Sequence, residues 1–301
     1  MTYAELWRSL TAVYDEEEAR AVARLVLETR FGLTMADVLS GRSGDDAEMR
    51  AVQERLLTGE PVQYVLGEAA FGGRQFHVAP GVLIPRPETY ELCQWIIEHE
   101  KDNRKEHHTG PGTVSGQENV SGRLTGNVDT RILDIGTGSG CIACTLAAEL
   151  PHAEVTAWDI SDEALHIARD NAERSGVCIV FERRDALSPP AANKRWDVIV
   201  SNPPYVCQHE RELMARNVVD YEPHLALFVP DGDPLLFYRS IGRYALRALK
   251  TDGYLAFETS EFRCSETASM LQAMGFGKIT VMTDQFGKNR FVVAAQSKGE
   301  L

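Results

Sequence analysis

Four consecutive residues, Asn202-Pro203-Pro204-Tyr205, follow directly on the apolar run Val198-Ile199-Val200-Ser201. Proline fixes its own φ and pushes the residue before it to extended geometry, so Asn202 and Pro203 are both conformationally restricted. Such a corner can present two rigid acceptors, the Asn202 side-chain oxygen and the Pro203 carbonyl, spaced for the hydrogens of a planar NH2 group. Tyr205 could stack on the plane of that group and orient it. The plainer alternative is a tight loop that ends a buried strand. A second cluster, Asp134-Ile135-Gly136-Thr137-Gly138-Ser139-Gly140, stands where a strand should turn into a helix, the position at which a doubly wound sheet opens a ligand crevice. Its glycines let a ligand approach the backbone. A dinucleotide fingerprint would need G-x-G-x-x-G, but counting from Gly136 puts Cys141 at the third glycine, with Gly140 one place early.

Asp159 ends the next strand, 23 residues after Gly136, near the roughly 20-residue separation at which an acidic side chain meets ribose hydroxyls. It could equally serve as a charge at the start of the helix after Ser161. Asp185 follows the third strand, where it could accept from an adenine amino group or simply sit in a loop. Cys141 and Cys144 form a C-x-x-C without a second Cys or His pair at zinc-ligand spacing, so no metal is expected and helix packing is favoured. All six cysteines read as buried thiols. The adjacent His107 and His108 read as solvated.

Positioning these groups requires a regular frame, and the patterning supplies one. Residues 1 to about 60 have helical period. Asp15 and Glu18 have capping-box spacing ahead of a face holding Val22, Leu25, Val26 and Leu27, and Thr34 can cap a helix over Met35 to Leu39. Glu68 to Phe71 and Arg74 to Val78 flank Gly72-Gly73 as a hairpin. The run Val82 to Thr89, with two prolines, is held extended before a helix from Glu91 to about His99. Lys101 to Thr130 is polar and glycine-rich, which predicts a flexible surface loop. From residue 130 strands and helices alternate, implying a parallel sheet covered on both faces. The closing strands, Lys278 to Met282 and Arg290 to Ala295, are too close for a crossover helix and should pair antiparallel at the sheet edge.

With 301 residues, 31 Lys plus Arg and 44 Asp plus Glu, the chain carries a formal charge of −13 and is 44% hydrophobic. That composition excludes collagen, coiled coil and wholesale disorder. It also opposes a surface that grips nucleic acid through clustered cations. Apolar stretches such as Cys141 to Leu150 fall short of the roughly 20 residues that cross a bilayer. The start, MTYAELWRSL, lacks the pattern of a secretory signal, so a cytoplasmic protein is expected.

Taken together, these motifs resemble the protein-(glutamine-N5) methyltransferases, in particular those that methylate glutamine in peptide chain release factors. The resemblance rests on Gln63-Tyr64-Val65-Leu66-Gly67, Val82 to Thr89, the Asp134 to Gly140 loop, Asp159, Asn202 to Tyr205, Glu222-Pro223-His224-Leu225-Ala226-Leu227 and Gly287 to Val293. It implies an α/β fold of the class I (Rossmann-like) methyltransferases, with a seven-stranded, mostly parallel sheet. A helical substrate-recognition domain (1–62) and a hairpin linker (63–90) would precede a methyltransferase domain (91–301). The implied cofactor is S-adenosyl-L-methionine, contacted by Gly136, Thr137, Gly138, Ser139, Gly140, Asp159, Asp185, Ala186 and Asn202. Asn202, Pro203, Pro204 and Tyr205 would hold the glutamine amide, with Asn202, Pro203 and Tyr205 carrying catalysis. The implied partner is a release factor, met by a monomer without nucleic acid or membrane. Two rivals are a ribosomal protein glutamine methyltransferase and a nucleic acid adenine-N6 methyltransferase. The chain departs from the family at Tyr90, where an acidic residue is common, at Ser260, where glycine follows, and at Ala186, in place of a tryptophan. The segment from Lys101 to Thr130 is also longer than usual.

Overall fold

The computed structural model describes residues 1–108 and 130–296. Its first part is helical: α1 (Tyr3–Leu10), α2 (Glu16–Phe31), α3 (Met35–Leu39), α4 (Asp46–Leu57) and α5 (Val62–Leu66). Asp15 accepts the Glu18 N–H at 2.8 Å, and Thr34 forms a reciprocal capping box with Asp37. Each cap satisfies amides that have no partner inside the helix. The buried face of α2 is Ala19, Val22, Ala23, Val26 and Leu27, one helical stripe. Leu25, expected on that face, is instead 39% exposed. Two residues from both Ala23 and Leu27, it stands about half a turn away.

β1 (Glu68–Phe71) and β2 (Arg74–His77) form the expected hairpin, with Phe71 opposite Arg74. Gly72 and Gly73 take φ of 58° and 75°, the left-handed pair that a two-residue hairpin turn demands. Tyr90 explains a further constraint. Its ring packs edge-on against Phe71, and a Cβ on Gly72 would lie 2.3 Å from it. The helix that carries Tyr90, α6 (Pro87–His108), is longer at both ends than predicted. Pro87 opens it, at a position where a missing N–H costs nothing. Lys101 to His108 are therefore helical, which corrects the loop expected there; 109–129 lie outside the described residues.

Alternation then follows: β3 (Thr130–Ile135), α7 (Cys141–Glu149), β4 (Ala153–Asp159), α8 (Asp162–Arg174), β5 (Ile179–Arg183) and β6 (Trp196–Ser201). An excursion holds β7 (Val206–Cys207), a 3-10 turn, α9 (Arg216–Tyr221), α10 (His224–Leu227) and β8 (Phe228–Val229). The chain closes with α11 (Leu236–Ala248), β9 (Leu249–Glu258), α12 (Cys264–Met274), β10 (Lys278–Thr283) and β11 (Asn289–Ala295). The sheet has seven strands in the order β10-β11-β9-β6-β3-β4-β5. β9, β6, β3, β4 and β5 are parallel neighbours, while β11 runs antiparallel to both β9 and β10.

Both faces are covered. Ile132, Val155 and Val200 pack with Ile96 and Leu146 on one side, and Leu133, Ile199 and Phe257 pack with Tyr238 and Leu271 on the other. Strands buried on both faces read as continuous apolar runs, which is why β6 was so legible. Cys141 and Cys144 are buried on α7, but Cys178 is exposed, against expectation. Strand order reverses between β3 and β6, so the crevice at their carboxyl ends is the natural ligand position. A separate cluster of Tyr64, Val78, Val82, Ile84, Ala164 and Ile167 joins the helical part, the hairpin segment and α8 in one core.

Candidate active site

The glycine loop is built by the end of β3. Gly136 and Thr137 donate to the Trp158 carbonyl at 2.8 and 2.9 Å, tying the loop to β4. Gly136, Gly138 and Gly140 have φ of 75°, 53° and 79°, a region that side chains with a Cβ rarely enter. Nothing lies within 4 Å of a Cβ at Gly136 or Gly138, so the loop offers open space there, whereas a Cβ on Gly140 would meet Ala168 at 3.0 Å. Gly140 thus serves close packing of the loop on α8. Asp134 is fully buried and accepts the Thr137 hydroxyl at 2.6 Å. Burial pushes its carboxyl up to about 7, against the pull of the Thr137 hydrogen bond.

Asp159 spans the loop and the next helix, accepting the Gly138 N–H and the Ser161 N–H at 2.9 Å each. Burial raises its carboxyl, and the N–H donors of Ser161, Gly138 and Ile160 oppose that rise. Asn171 of α8 fixes the loop from behind. Its Nδ2 donates to the Ser139 and His77 carbonyls at 2.9 Å, and its Oδ1 accepts the His77 N–H at 2.7 Å. No local motif marks this staple, whose partners are 94 and 32 residues from Asn171 in the chain.

The proline corner stands at the end of β6, anchored by the Ser201 hydroxyl, which donates to the Ile135 carbonyl at 2.6 Å. Asn202 Nδ2 donates to Thr89 Oγ1 at 3.3 Å, and Thr89 Oγ1 donates to Glu258 Oε2 at 2.6 Å. The run Val82 to Thr89 crosses the same region as a strap. Buried Glu222 accepts the Ile84 N–H at 3.1 Å and the Arg86 guanidinium, and the Tyr64 hydroxyl donates to the Val82 carbonyl.

These pieces enclose a cleft of ≈ 330 Å³, a volume suited to a small organic ligand. Gly136, Thr137, Gly138, Ser139, Asp159, Asp185, Ala186, Asn202, Pro203 and Pro204 all line it, together with Val82, Pro85, Arg86 and Thr89 of the strap. Asp185 Oδ1 accepts the Leu187 N–H at 2.8 Å, and the Ala186 carbonyl accepts the Ser240 hydroxyl at 2.6 Å, so that turn is rigid. Two of the predicted site residues, Gly140 and Tyr205, are not among the lining residues. Tyr205 is partly buried and packs against the Leu133-Ile199-Tyr238 core cluster. Its burial raises the phenol, as does the nearby Glu258.

The methyltransferase small domain family matches residues 117–225. A release factor glutamine methyltransferase of Bacteroides thetaiotaomicron is 40% identical over 97% of this chain and 98% of its own length. One from Flavobacterium psychrophilum is 40% identical over 95% and 94%. The solved protein-(glutamine-N5) methyltransferase (release factor-specific) of Alicyclobacillus acidocaldarius is 24% identical, covering 74% of this chain and 99% of that one with a TM-score of 0.40. The two relatives align over nearly their whole lengths, and the chain belongs to the release factor glutamine methyltransferase family.

Proposed function

We propose that the chain transfers a methyl group from S-adenosyl-L-methionine to the side-chain amide nitrogen, N5, of the glutamine in the Gly-Gly-Gln motif of peptide chain release factors. One observation carries this reading: the Asn202-Pro203-Pro204 corner and the glycine loop open on the same cleft. The open space beside Gly136 and Gly138 fits a ligand pressed against the backbone. Asp159 is the ligand for ribose hydroxyls, since an ionised carboxylate retains acceptor capacity beyond its backbone N–H partners. The Asp185-Ala186 turn borders the adenine, and Gly140 supports the loop from below. When bound, the cofactor supplies a methyl group on a positively charged sulfur.

A carboxamide nitrogen is a poor nucleophile because its lone pair is delocalised, so positioning supplies most of the rate. Asn202 Oδ1 and the Pro203 carbonyl accept the two N–H groups of the glutamine, push electron density toward nitrogen and aim it. Orientation of this quality is worth about 7 to 11 kcal/mol of barrier. The proton leaves afterwards to water. Tyr205 acts as a positioning residue beneath the corner. Residues 1–62 recognise the protein substrate, 63–90 link, and 91–301 carry the methyltransferase chemistry. Among the described residues no helix is long and apolar enough to cross a membrane, and we place the protein in the cytoplasm, as a monomer acting in translation termination.

Incubation with labelled S-adenosyl-L-methionine and a release factor, followed by mass-spectrometric location of the methyl, tests the assignment. Asn202→Ala should lower turnover by about 10²-fold or more while cofactor affinity survives. A variant that keeps most of its rate removes Asn202 from its role, and a methyl found instead on a ribosomal protein glutamine selects the sister activity.

A further inference from the structure

The acceptor role of Asn202 demands that its carboxamide present oxygen, not nitrogen, to the substrate. The two ends of a carboxamide are nearly isosteric, so shape alone sorts them poorly. The sorting must come from hydrogen bonding, and a chain of two bonds is available: Asn202 Nδ2 to Thr89 Oγ1 at 3.3 Å, then Thr89 Oγ1 to Glu258 Oε2 at 2.6 Å.

We propose that Thr89 and Glu258 form a positioning relay that holds the Asn202 carboxamide with its oxygen toward the glutamine, an inference that rests on the reading of Asn202 as the amide acceptor. The Thr89 hydroxyl has a single hydrogen. An ionised Glu258 is acceptor only, so that hydrogen is committed to it. Thr89 Oγ1 then has only lone pairs left for Asn202, which must answer with Nδ2. A protonated Glu258 can itself donate to Thr89, which frees the Thr89 hydrogen for Asn202 and removes the sorting.

The fold delivers the three members independently. Thr89 lies in the first turn of α6, Asn202 directly after β6, and Glu258 at the end of β9, whose Phe257 is in register with Ser201. Thr89 and Glu258 are 3% and 2% exposed, so water does not replace either bond freely. The charges around Glu258 are Arg290 and Arg86, which favour its ionised form, and Glu88, which opposes it. The phenols of Tyr205 and Tyr238 and the thiols of Cys93 and Cys141 complete its titratable surroundings. Burial is the largest influence and pushes the Glu258 carboxyl up to about 7. The relay therefore engages as pH rises through neutrality.

Steady-state methylation of a release factor, measured across pH, reads this directly. Thr89→Val, which keeps the shape and deletes the hydroxyl, should lower kcat by about 10²-fold, leave cofactor affinity unchanged, and be rescued by Thr89→Ser. Wild-type kcat should rise with pH through about 7, and Glu258→Gln should flatten that limb. Asp134 is raised to the same range, so a limb that survives in Glu258→Gln belongs to another group and overturns the relay. Wild-type kcat in Thr89→Val also overturns it. Asn202→Ala separates the two levels: full activity there defeats the reading of the site, whereas an inactive Asn202→Ala beside an unimpaired Thr89→Val defeats the relay alone.

Discussion

Asp159 commits one carboxylate oxygen to the Gly138 N–H and the other to the Ser161 N–H, so it shapes the cleft before it contacts any ligand. Substituting Asp159→Ala removes a charged acceptor and frees the glycine loop together. A hydrogen bond to a charged group contributes about 1.5 to 3 kcal/mol, which corresponds to a loss of about 10- to 100-fold in affinity for S-adenosyl-L-methionine. Calorimetric titration checks this, and an unchanged affinity removes Asp159 from the site. Asp159, the glycines and the proline corner were legible because each announces itself locally, by a restricted φ or by its place at a strand end. The Thr89 and Glu258 pair was not, since those residues are 169 apart in the chain and only the closed sheet brings them together. Whether the Tyr205 ring faces the cleft or the core is likewise settled by neighbours such as Tyr238, which sequence order does not reveal.

Asn171 shows how an element carries information between sites. It lies on α8, is 1% exposed, and holds both backbone groups of His77 in β2 as well as the Ser139 carbonyl of the glycine loop. The hairpin and the glycine loop are thus fastened to one side chain. Asn171→Ala leaves buried backbone groups without partners, at about 1 to 3 kcal/mol each. Urea denaturation should show a destabilisation of about 3 kcal/mol, and cofactor affinity should fall with it. A variant of wild-type stability would mean that water replaces all three bonds. The capped starts of α2 and α3, the β1–β2 hairpin and the apolar run of β6 could be read from the sequence to within a residue or two. The excursion from Val206 to Val229 could not, because its pieces are two to six residues long. No hydrophobic period develops over such lengths. That stretch contains Glu222, the buried carboxylate that holds the strap at the cleft.

At the scale of the whole molecule, the helical part, the hairpin and α8 share one core through Tyr64, Val78, Val82 and Ile167, and the Tyr221 hydroxyl reaches the Thr58 carbonyl and hydroxyl at 3.0 and 2.8 Å. The helical part and the hairpin are therefore docked onto the sheet domain. The molecule carries a formal charge of −13, which matters for the rival reading. A corner that grips a carboxamide NH2 would also grip the exocyclic amine of adenine, so the cleft alone does not choose between protein and nucleic acid. The field does. Binding to a duplex depends on neutralising phosphates with clustered Lys and Arg, and it collapses by about 10³- to 10⁵-fold between 50 and 200 mM salt when 6 to 10 phosphates are contacted. A strongly acidic protein lacks the net attraction that starts such binding. Fluorescence anisotropy with labelled duplex DNA should show no saturable binding even at low salt, and labelled cofactor should leave no methyl on adenine. Methylation of a release factor should persist at physiological ionic strength. Saturable, steeply salt-dependent DNA binding accompanied by adenine methylation would transfer the activity to nucleic acid, leaving the geometry of the corner intact and its substrate changed.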